Sequence, residues 1–318
     1  MRNIISKICV VSLILIVAFS CKKSDNSDNS VSNDNGEKYT IAYNLPQGET
    51  FKHRMSVESK TSQEVMGQKM EAVFNMNMEM SYYVKNVDDD NYTIDMTYNT
   101  ISINMDAMGM NLSFDSNTTE EKATHQNLSP IFRAMTNTPV EMEINKHGET
   151  KSVKGFEKIY ESVANATSEL DAMTKEQMLA QSKEQFSEQA LTEIMNQTSA
   201  VFTKEPVAVG EKWIANIERT PNVPVATTME LKLVSVKDNI ATIEGAGDIS
   251  TGPEGITKEK NGVQAVLKLN GTQTVTTTLD LATGWVVEAN VTQNIEGTIE
   301  VEGMKIPQNT VNTIKITN

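Results

Sequence analysis

Apolar and polar residues alternate over long stretches of the chain, which is the period of a β-strand with one buried face. In the first clear stretch the even-numbered positions are apolar: Phe74, Met76, Met78, Met80 and Tyr82. The next stretch keeps this phase: Tyr92, Ile94, Met96 and Tyr98. The phase then moves to odd positions: Ile101, Ile103 and Met105. One extra residue near Asn99–Thr100 restores the buried face, so the sequence predicts a β-bulge there.

A helical period replaces this alternation in the middle of the chain. Thr174 and Gln177 have the spacing of a capping box, which predicts a helix that begins at Thr174. The apolar residues that follow recur on one helical face: Met178, Leu179, Phe186, Ala190, Leu191, Ile194 and Met195. A shorter helix is predicted over Gly155–Ala166. Because the outer faces of both helices are polar, we expect them to lie on a sheet.

Strand alternation returns after Pro206. Residues 280–285 are typical of a tight hairpin, with Gly284 free to adopt a positive φ. Gly67 and Gly109 also lie where hairpin turns are needed.

The order of motifs also repeats. Gly48-Glu49 precedes the first set of strands as Gly210-Glu211 precedes the second, which suggests a diverged duplication. We therefore predict an α+β, β-dominated fold. It consists of two curved antiparallel β-meander units, 39–150 and 206–318, with a central helical segment, 151–205, packed on the sheet.

Composition and charge exclude some functions. The chain has 318 residues, 38% of them hydrophobic, which is enough for a sizeable core. A formal net charge of -14 repels phosphate backbones, so nucleic-acid binding is excluded as the main function. The three histidines, His53, His125 and His147, are far apart and form no zinc or proton-relay motif.

The first residues resemble a bacterial lipoprotein signal peptide, residues 1–20. Arg2 and Lys7 precede an apolar run, Ile8–Phe19, that is too short to span a bilayer as a helix. Ser20 then stands directly before Cys21, as in the lipobox, although Ala18 replaces the commoner leucine. The resemblance implies cleavage before Cys21 and attachment of lipid to it. The alternative is an ordinary secretion signal followed by a free cysteine.

Cysteine usage agrees with this interpretation. Cys9 leaves with the signal, so Cys21 is the single cysteine of the mature chain and no internal disulfide is expected. Residues 21–38 are polar and cannot bury themselves, which predicts a flexible tether. The expected location is the cell envelope, with the chain anchored by lipid to a membrane that we take to be the outer one.

Several short motifs occur along the chain in an order that is typical of a protein family. They are Tyr43-Asn44-Leu45 before Gly48-Glu49, Met66-Gly67-Gln68-Lys69-Met70, Val209-Gly210-Glu211-Lys212-Trp213, Thr283-Gly284-Trp285 and Lys305-Ile306-Pro307. In this order they resemble a family of Bacteroidota-type lipoproteins known only as a domain of unknown function. The resemblance covers nearly all of residues 39–318. It implies an envelope location but no activity, and among the residues only Cys21 takes a role from the lipobox.

Methionine is the strongest compositional bias, since ten of the 18 fall between Met55 and Met110. The simplest interpretation is a sheet core in which methionine replaces valine or isoleucine. A copper(I) site is an alternative, because soft thioethers suit that ion, but no histidine or cysteine is near in sequence. A third interpretation is a deformable wall for a lipid-like ligand. Its candidate ligand-binding residues are Met76, Met78, Met80, Met96 and Tyr98.

No catalytic constellation is recognisable. His53 lacks a sequence partner to orient it, and we expect a half-exposed strand residue. Asp88-Asp89-Asp90 lacks the spacing of a calcium loop and is expected in a solvated turn. Trp213 and Trp285 are expected to anchor the core.

The sequence therefore favours a non-enzymatic lipoprotein that binds a hydrophobic or lipid-like ligand between sheet and helices. No cofactor and no metal site is expected, and the membrane is the expected partner through the anchor. A structural or protein-interaction lipoprotein is the first alternative, and a methionine-rich copper-binding protein is the second.

Overall fold

The structure, a computed structural model, describes residues 36–107, 110–124, 127–217, 225–260 and 263–318. The signal segment with Cys21, most of the tether, Gly109 and His125 lie outside the described residues. The predictions made for them stay predictions.

Long antiparallel strands form most of the fold. The strands are β1 (Lys38–Tyr39), β2 (Thr50–Val65), β3 (Gln68–Asp88), β4 (Asn91–Ala107), β5 (Met110–Asp115), β6 (Val140–Asn145), β7 (Thr150–Lys154), β8 (Val207–Ala208), β9 (Lys212–Ile217), β10 (Ala226–Lys237), β11 (Ile240–Ser250), β12 (Ile256–Lys260), β13 (Val263–Asp280), β14 (Trp285–Val301) and β15 (Met304–Thr317). The predicted β-dominated α+β class is confirmed.

Four α-helices accompany the strands. They are α1 (Ser129–Met135), α2 (Phe156–Ala166), α3 (Ala172–Gln185) and α4 (Glu188–Thr198). Helix α2 matches its prediction, but the predicted cap at Thr174 is wrong. The carboxylate of Asp171 accepts the Thr174 N–H at 3.0 Å and its hydroxyl at 2.7 Å, so the helix begins one turn earlier than expected. The expected single helical face is also divided, because Ser187 Oγ accepts the Ala190 N–H at 3.0 Å and caps a new helix.

Thirteen of the strands form one sheet. Its order is β7-β6-β4-β3-β2-β15-β14-β13-β11-β10-β9, with β5 paired to β4 and β12 paired to β13. β1 and β8 form a separate pair. The two predicted meanders are thus joined edge to edge, because β15 pairs with β2 from Gln308↔Gln63 to Thr317↔Arg54. The order leaves β7 and β9 as the two ends of an open sheet.

The predicted bulge is confirmed. Glu79 faces Thr100 and Met80 faces Tyr98, so Asn99 is the extra residue on β4. Consequently Tyr98 and Ile101 both lie on the inner, helix-covered face of the sheet. At the β2–β3 hairpin, Met66 and Gly67 both have positive φ, 52° and 76°, as a two-residue turn of the right twist requires.

The two halves of the sheet repeat one local geometry. The Gly48 N–H donates to the Val84 carbonyl at 2.8 Å, and the Gly210 N–H donates to the Leu233 carbonyl at 2.7 Å. Both glycines have a positive φ, 87° and 93°. The strand pairing is interrupted just after Val84 in one half and just after Leu233 in the other. These shared irregularities support the predicted duplication, with β2-β3-β4-β6-β7 corresponding to β9-β10-β11-β13-β14.

β15 has no counterpart in the first half, and the sheet requires it. Neighbouring strands are antiparallel throughout, so β14 and β2 run in the same direction. Placed side by side, two repeats would meet through a parallel pair. One additional strand between them restores antiparallel pairing across the junction.

In the described residues the four α-helices pack on the first half of the inner face, and a short 3₁₀ helix, Ser199–Val201, reaches the second cluster. α1 contacts α2, β4 and β5, α2 contacts α3, and α4 contacts β7. The cluster beneath them includes Ile94, Met96, Ile101 and Phe156. A second cluster around Leu231 and Ile243 and a third around Leu267 lie in the other half. Within the described residues, no helix is both long and apolar enough to cross a membrane.

Candidate ligand-binding site

The structure brings the five candidate ligand residues together on the inner face. Met80 on β3 lies opposite Tyr98 on β4, and Met96 lies opposite Tyr82. Met78, Met80, Met96 and Tyr98 belong to one buried cluster, and Met76 packs against it. The alternation of the sequence alone was enough to find this group.

Methionines also approach this face from the helices. Met195 of α4 belongs to the same cluster, and Met178 of α3 packs against it. Leu191 of α4 and Phe186, next to α3, contribute further apolar surface. The ring of Phe186 stands perpendicular to that of Tyr98, with centroids 6.0 Å apart. Sheet and helices thus meet through flexible thioether side chains on both sides.

Packing is uneven along this interface. At its packed end, which consists of Met96, Met135 and Met142, exposure is 1% or less. At its open end, Met78, Met80 and Met195 each remain 8% exposed. Three more methionines of the open end are only half-buried: Met55, Met76 and Met178. Methionine is therefore fully enclosed at one end of the interface, whereas at the other end it ranges from 8% exposed to half-buried.

A surface groove of about 510 Å³ lies over the helices. Phe156 and Tyr160 of α2 form its apolar lining, with their rings stacked 6.1 Å apart. The Tyr160 hydroxyl donates to the Phe186 carbonyl at 2.9 Å. The Phe186 ring in turn contacts Tyr98, so a hydrogen bond and one ring contact join the groove to the sheet.

The charged residues of the groove are mostly acidic. Glu157, Glu184 and Glu188 line it together with one cation, Lys183. Lys183 Nζ lies 5.4 Å from the centroid of the Tyr160 ring. The pKa of Tyr160 is raised, first by burial and then by the negative charges of Glu188 and Glu157. The electrostatic environment of the Tyr160 hydroxyl therefore disfavours a negative charge in the groove.

An aromatic group borders the open end on the side away from the helices. Trp285 stacks on His53 at 4.4 Å between centroids and contacts Phe51 at 4.7 Å and Tyr82 at 5.2 Å. The Tyr82 hydroxyl donates to Met80 Sδ at 3.6 Å, which connects this group to the methionines. Trp285 is 5% exposed, as expected of a core anchor. Its indole Nε1 is buried and has no hydrogen-bond partner among the described residues.

His53 is uncharged at neutral pH. Its Nε2 lies 3.1 Å from the Val286 carbonyl, and because a carbonyl only accepts, Nε2 carries the hydrogen. Burial lowers the pKa of His53 to about 4, and the hydrogen bond to Val286 opposes this shift only in part. Its described contacts are Trp285, Tyr82 and Val286, none of which is a carboxylate.

The tyrosine hydroxyls around the site are neutral as well. Burial raises the pKa of Tyr43, Tyr82 and Tyr98. A tyrosine hydroxyl keeps its hydrogen at physiological pH even without this shift, so each remains a potential donor. No Lys, Arg, Asp or Glu is among the buried residues of the described part of the chain.

Sequence reasoning missed a buried polar row in the other half of the sheet. The Asn312 amide donates to Gln293 Oε1 at 2.9 Å, and the Gln293 amide donates to Gln273 Oε1 at 2.7 Å. These residues are 4% exposed or less. Their positions have the inward phase of Val275, Val291 and Ile314, and that phase was the signal that could have revealed them.

Among the described residues, no group of three or more His, Cys, Asp or Glu side chains could hold an ion. Asp89 and Asp90 form the predicted β3–β4 turn, where Asp90 pairs with Lys146 at 2.8 Å. Trp213 is half-buried against the second apolar cluster.

Comparison with known proteins gives a family but no activity. A family of unknown function (DUF6263) matches residues 89–286, a shorter range than the resemblance seen in the sequence. No curated protein matches the chain.

Likeness to solved structures is weak. An outer membrane channel from Pseudomonas putida F1 is 8% identical, with a TM-score of 0.27, over 86% of this chain and 97% of that chain. The translocator domain of autotransporter NalP from Neisseria meningitidis is 6% identical, with a TM-score of 0.20, over 86% and 90%. Such low scores do not establish a shared fold.

Proposed function

The chain belongs to DUF6263, a family of unknown function, and we propose that it is a lipid-anchored protein of the cell envelope that binds a hydrophobic ligand. The ligand lies between the sheet and helices α3 and α4. The protein is not an enzyme in this proposal, and its lipid-bearing Cys21 holds it to a membrane, which we take to be the outer one.

The uneven packing of the methionine interface carries the ligand proposal. Side chains in a closed core interdigitate with few voids, as the methionines of the packed end do. At the open end Met78, Met80 and Met195 keep 8% exposure, and the neighbouring Met55, Met76 and Met178 are only half-buried. Thioether side chains have low rotational preference and can move aside to admit an apolar molecule. Between sheet and helices, such a molecule would gain apolar contacts with little backbone movement.

The non-enzymatic part rests on the surroundings of His53. A general base needs a proton to accept and a group that orients it. His53 is oriented by a backbone carbonyl and a tryptophan ring, with no carboxylate among its described contacts. Its lowered pKa follows from burial against aromatic rings and does not require a catalytic role.

The anchor proposal rests on the sequence alone, and radiolabelled fatty acid tests it. Cys21→Ser should abolish incorporation, because serine lacks the sulfur that takes the diacylglycerol. Cys9→Ser is the matched control, because this cysteine lies in the signal and should leave incorporation unchanged. Incorporation into Cys21→Ser would disprove the anchor and leave the ligand proposal untouched.

Native mass spectrometry tests the ligand proposal directly. The full chain purified from a bacterial envelope should carry adducts that leave on denaturation and are identified as lipids. A bare polypeptide mass would contradict the proposal. A discrete copper mass would favour the copper(I) alternative.

The interaction alternative would be favoured by exposed apolar side chains that form one patch. Among the described residues the large exposed ones are Met66, Tyr83, Leu112, Met173, Val209, Ile214 and Val311. Met66 and Tyr83 lie at opposite ends of the β2–β3 hairpin. At about 3.3 Å per residue they are roughly 50 Å apart. Single exposed apolar residues are normal on protein surfaces.

A further inference from the structure

We infer that the open end selects an uncharged amphiphile, with an apolar chain and a head that accepts hydrogen bonds without carrying charge. This inference rests on the proposed ligand-binding function and adds the chemical class of the ligand. Four features carry it: a cluster without charged side chains, neutral donors around it, a buried donor without a partner, and an acidic groove above.

The interior provides no counter-charge for an anion. Among the described residues, the buried ones include serines and threonines but no Lys, Arg, Asp or Glu, and the one histidine beside the cluster, His53, is neutral. Burying an ionised carboxylate without a paired cation is costly, so a fatty-acid anion would be excluded or would have to take up a proton.

The polar atoms that do border the site are donors. Tyr43, Tyr82 and Tyr98 are buried and neutral at physiological pH, so each has a hydroxyl hydrogen, and burial raises their pKa values further. Trp285 offers an indole N–H that is buried and has no partner among the described residues. A buried donor without a partner is unfavourable, and an accepting group on a ligand would remove that penalty. An ester, hydroxyl or carbonyl oxygen meets this requirement.

The groove over the helices also disfavours an anionic ligand. Three glutamates against one lysine, Lys183, give its lining a net negative charge, and the whole chain carries -14. An approaching anion is repelled, whereas a neutral head is not. Tyr160 and Phe186 then connect the groove to Tyr98 by the contacts described above.

Three amphiphiles with one chain and different heads test the inference: 1-lauroylglycerol, laurate and laurylamine. The protein is the full chain carrying Trp213→Phe, which leaves Trp285 as the sole tryptophan, and binding is followed at neutral pH by its emission and by calorimetry. We expect 1-lauroylglycerol to bind at least about tenfold more tightly than laurate and to change the emission of Trp285.

The possible outcomes separate the two proposals. Equal or tighter binding of laurate overturns the inference but preserves a hydrophobic ligand site. Tightest binding of laurylamine overturns it too, because the groove carboxylates would then select a cation. If none of the three binds, both the inference and the proposed function fail.

A second variant examines the indole donor. Trp285→Phe keeps an aromatic ring and removes the N–H, so affinity for 1-lauroylglycerol should fall by about threefold to tenfold in calorimetry. Trp213→Phe is the matched control and should leave that affinity unchanged. Unchanged affinity in a folded Trp285→Phe variant would contradict a role for this donor.

Discussion

The two ends of the methionine interface differ in the exposure of their side chains, although residue type and inward orientation on the sheet are the same at both ends. Met96 and Met80 occupy equivalent inward positions on neighbouring strands, but Met96 is 0% exposed and Met80 is 8% exposed. α1 contacts α2 and β4, and α4 contacts β7, the strand beyond Met142 of the packed end. Phe186, between α3 and α4, contacts Tyr98, which lies opposite Met80. Residue type is the same at both positions, so the difference in exposure comes from what packs on each methionine.

Truncating one methionine at each end compares the two packing states directly. Met96→Ala should lower the free energy of unfolding by about 3 kcal/mol, because it leaves a cavity in a closed region. Met76→Ala removes a half-buried side chain and should cost about 1 kcal/mol. Equal losses in thermal or urea unfolding would argue that both ends are packed alike.

Lowering the pH should reduce the free energy of unfolding, because His53 at the border of the open end takes up a proton. Its pKa is about 4 in the folded chain, against about 6.5 when unfolded, so the unfolded chain binds the proton first as pH falls. Its contribution is complete above pH 6.5 and is lost progressively down to about pH 4, by up to about 3 kcal/mol. The stability difference between wild type and His53→Gln isolates this effect from the carboxylates. A difference that does not change with pH would contradict a buried neutral His53.

The smallest change in stability is expected for Met80→Leu, which conserves volume and should cost less than about 1.5 kcal/mol. If the open end binds a ligand, the stiffer leucine should nevertheless weaken affinity for 1-lauroylglycerol a few-fold. Met142→Leu, at the packed end, should cost a similar free energy and leave the affinity intact. Identical affinities for both variants would indicate that side-chain flexibility at Met80 does not matter.

Local features of the fold followed from the sequence because short-range patterns determine them. The slip in alternation around Asn99 located a bulge, and Gly67 and Gly284 located turns that need positive φ. The cap of α3 was misplaced because Asp171 and Thr174 both suit a helix N-terminus, and only the geometry shows which accepts the backbone hydrogen bond.

Long-range features could not be predicted in this way. Alternation of apolar and polar residues indicates which face a strand buries but not which strand it pairs with. The pairing of β15 with β2 could therefore not be predicted from the sequence. The candidate methionines were found from their phase, whereas their division into packed and open ends depends on where the helices lie. His53 and Trp285 come together only through the β2–β15–β14 arrangement, which joins residues far apart in the chain.

The position of β15 in the sheet also affects when the fold can be completed during synthesis. β2 lies in the interior of the sheet, yet its second neighbour follows all the other strands, and Gln63 on β2 bonds to Gln308, 245 residues later. Until that segment has been synthesised and has reached its partner, β2 keeps an unpaired edge that can pair with other chains. Closing so distant a contact is slow, because the entropy of a long loop must be lost first. Maturation should therefore be governed by the arrival of one strand, and a cell that makes this protein must keep the edge of β2 protected until then.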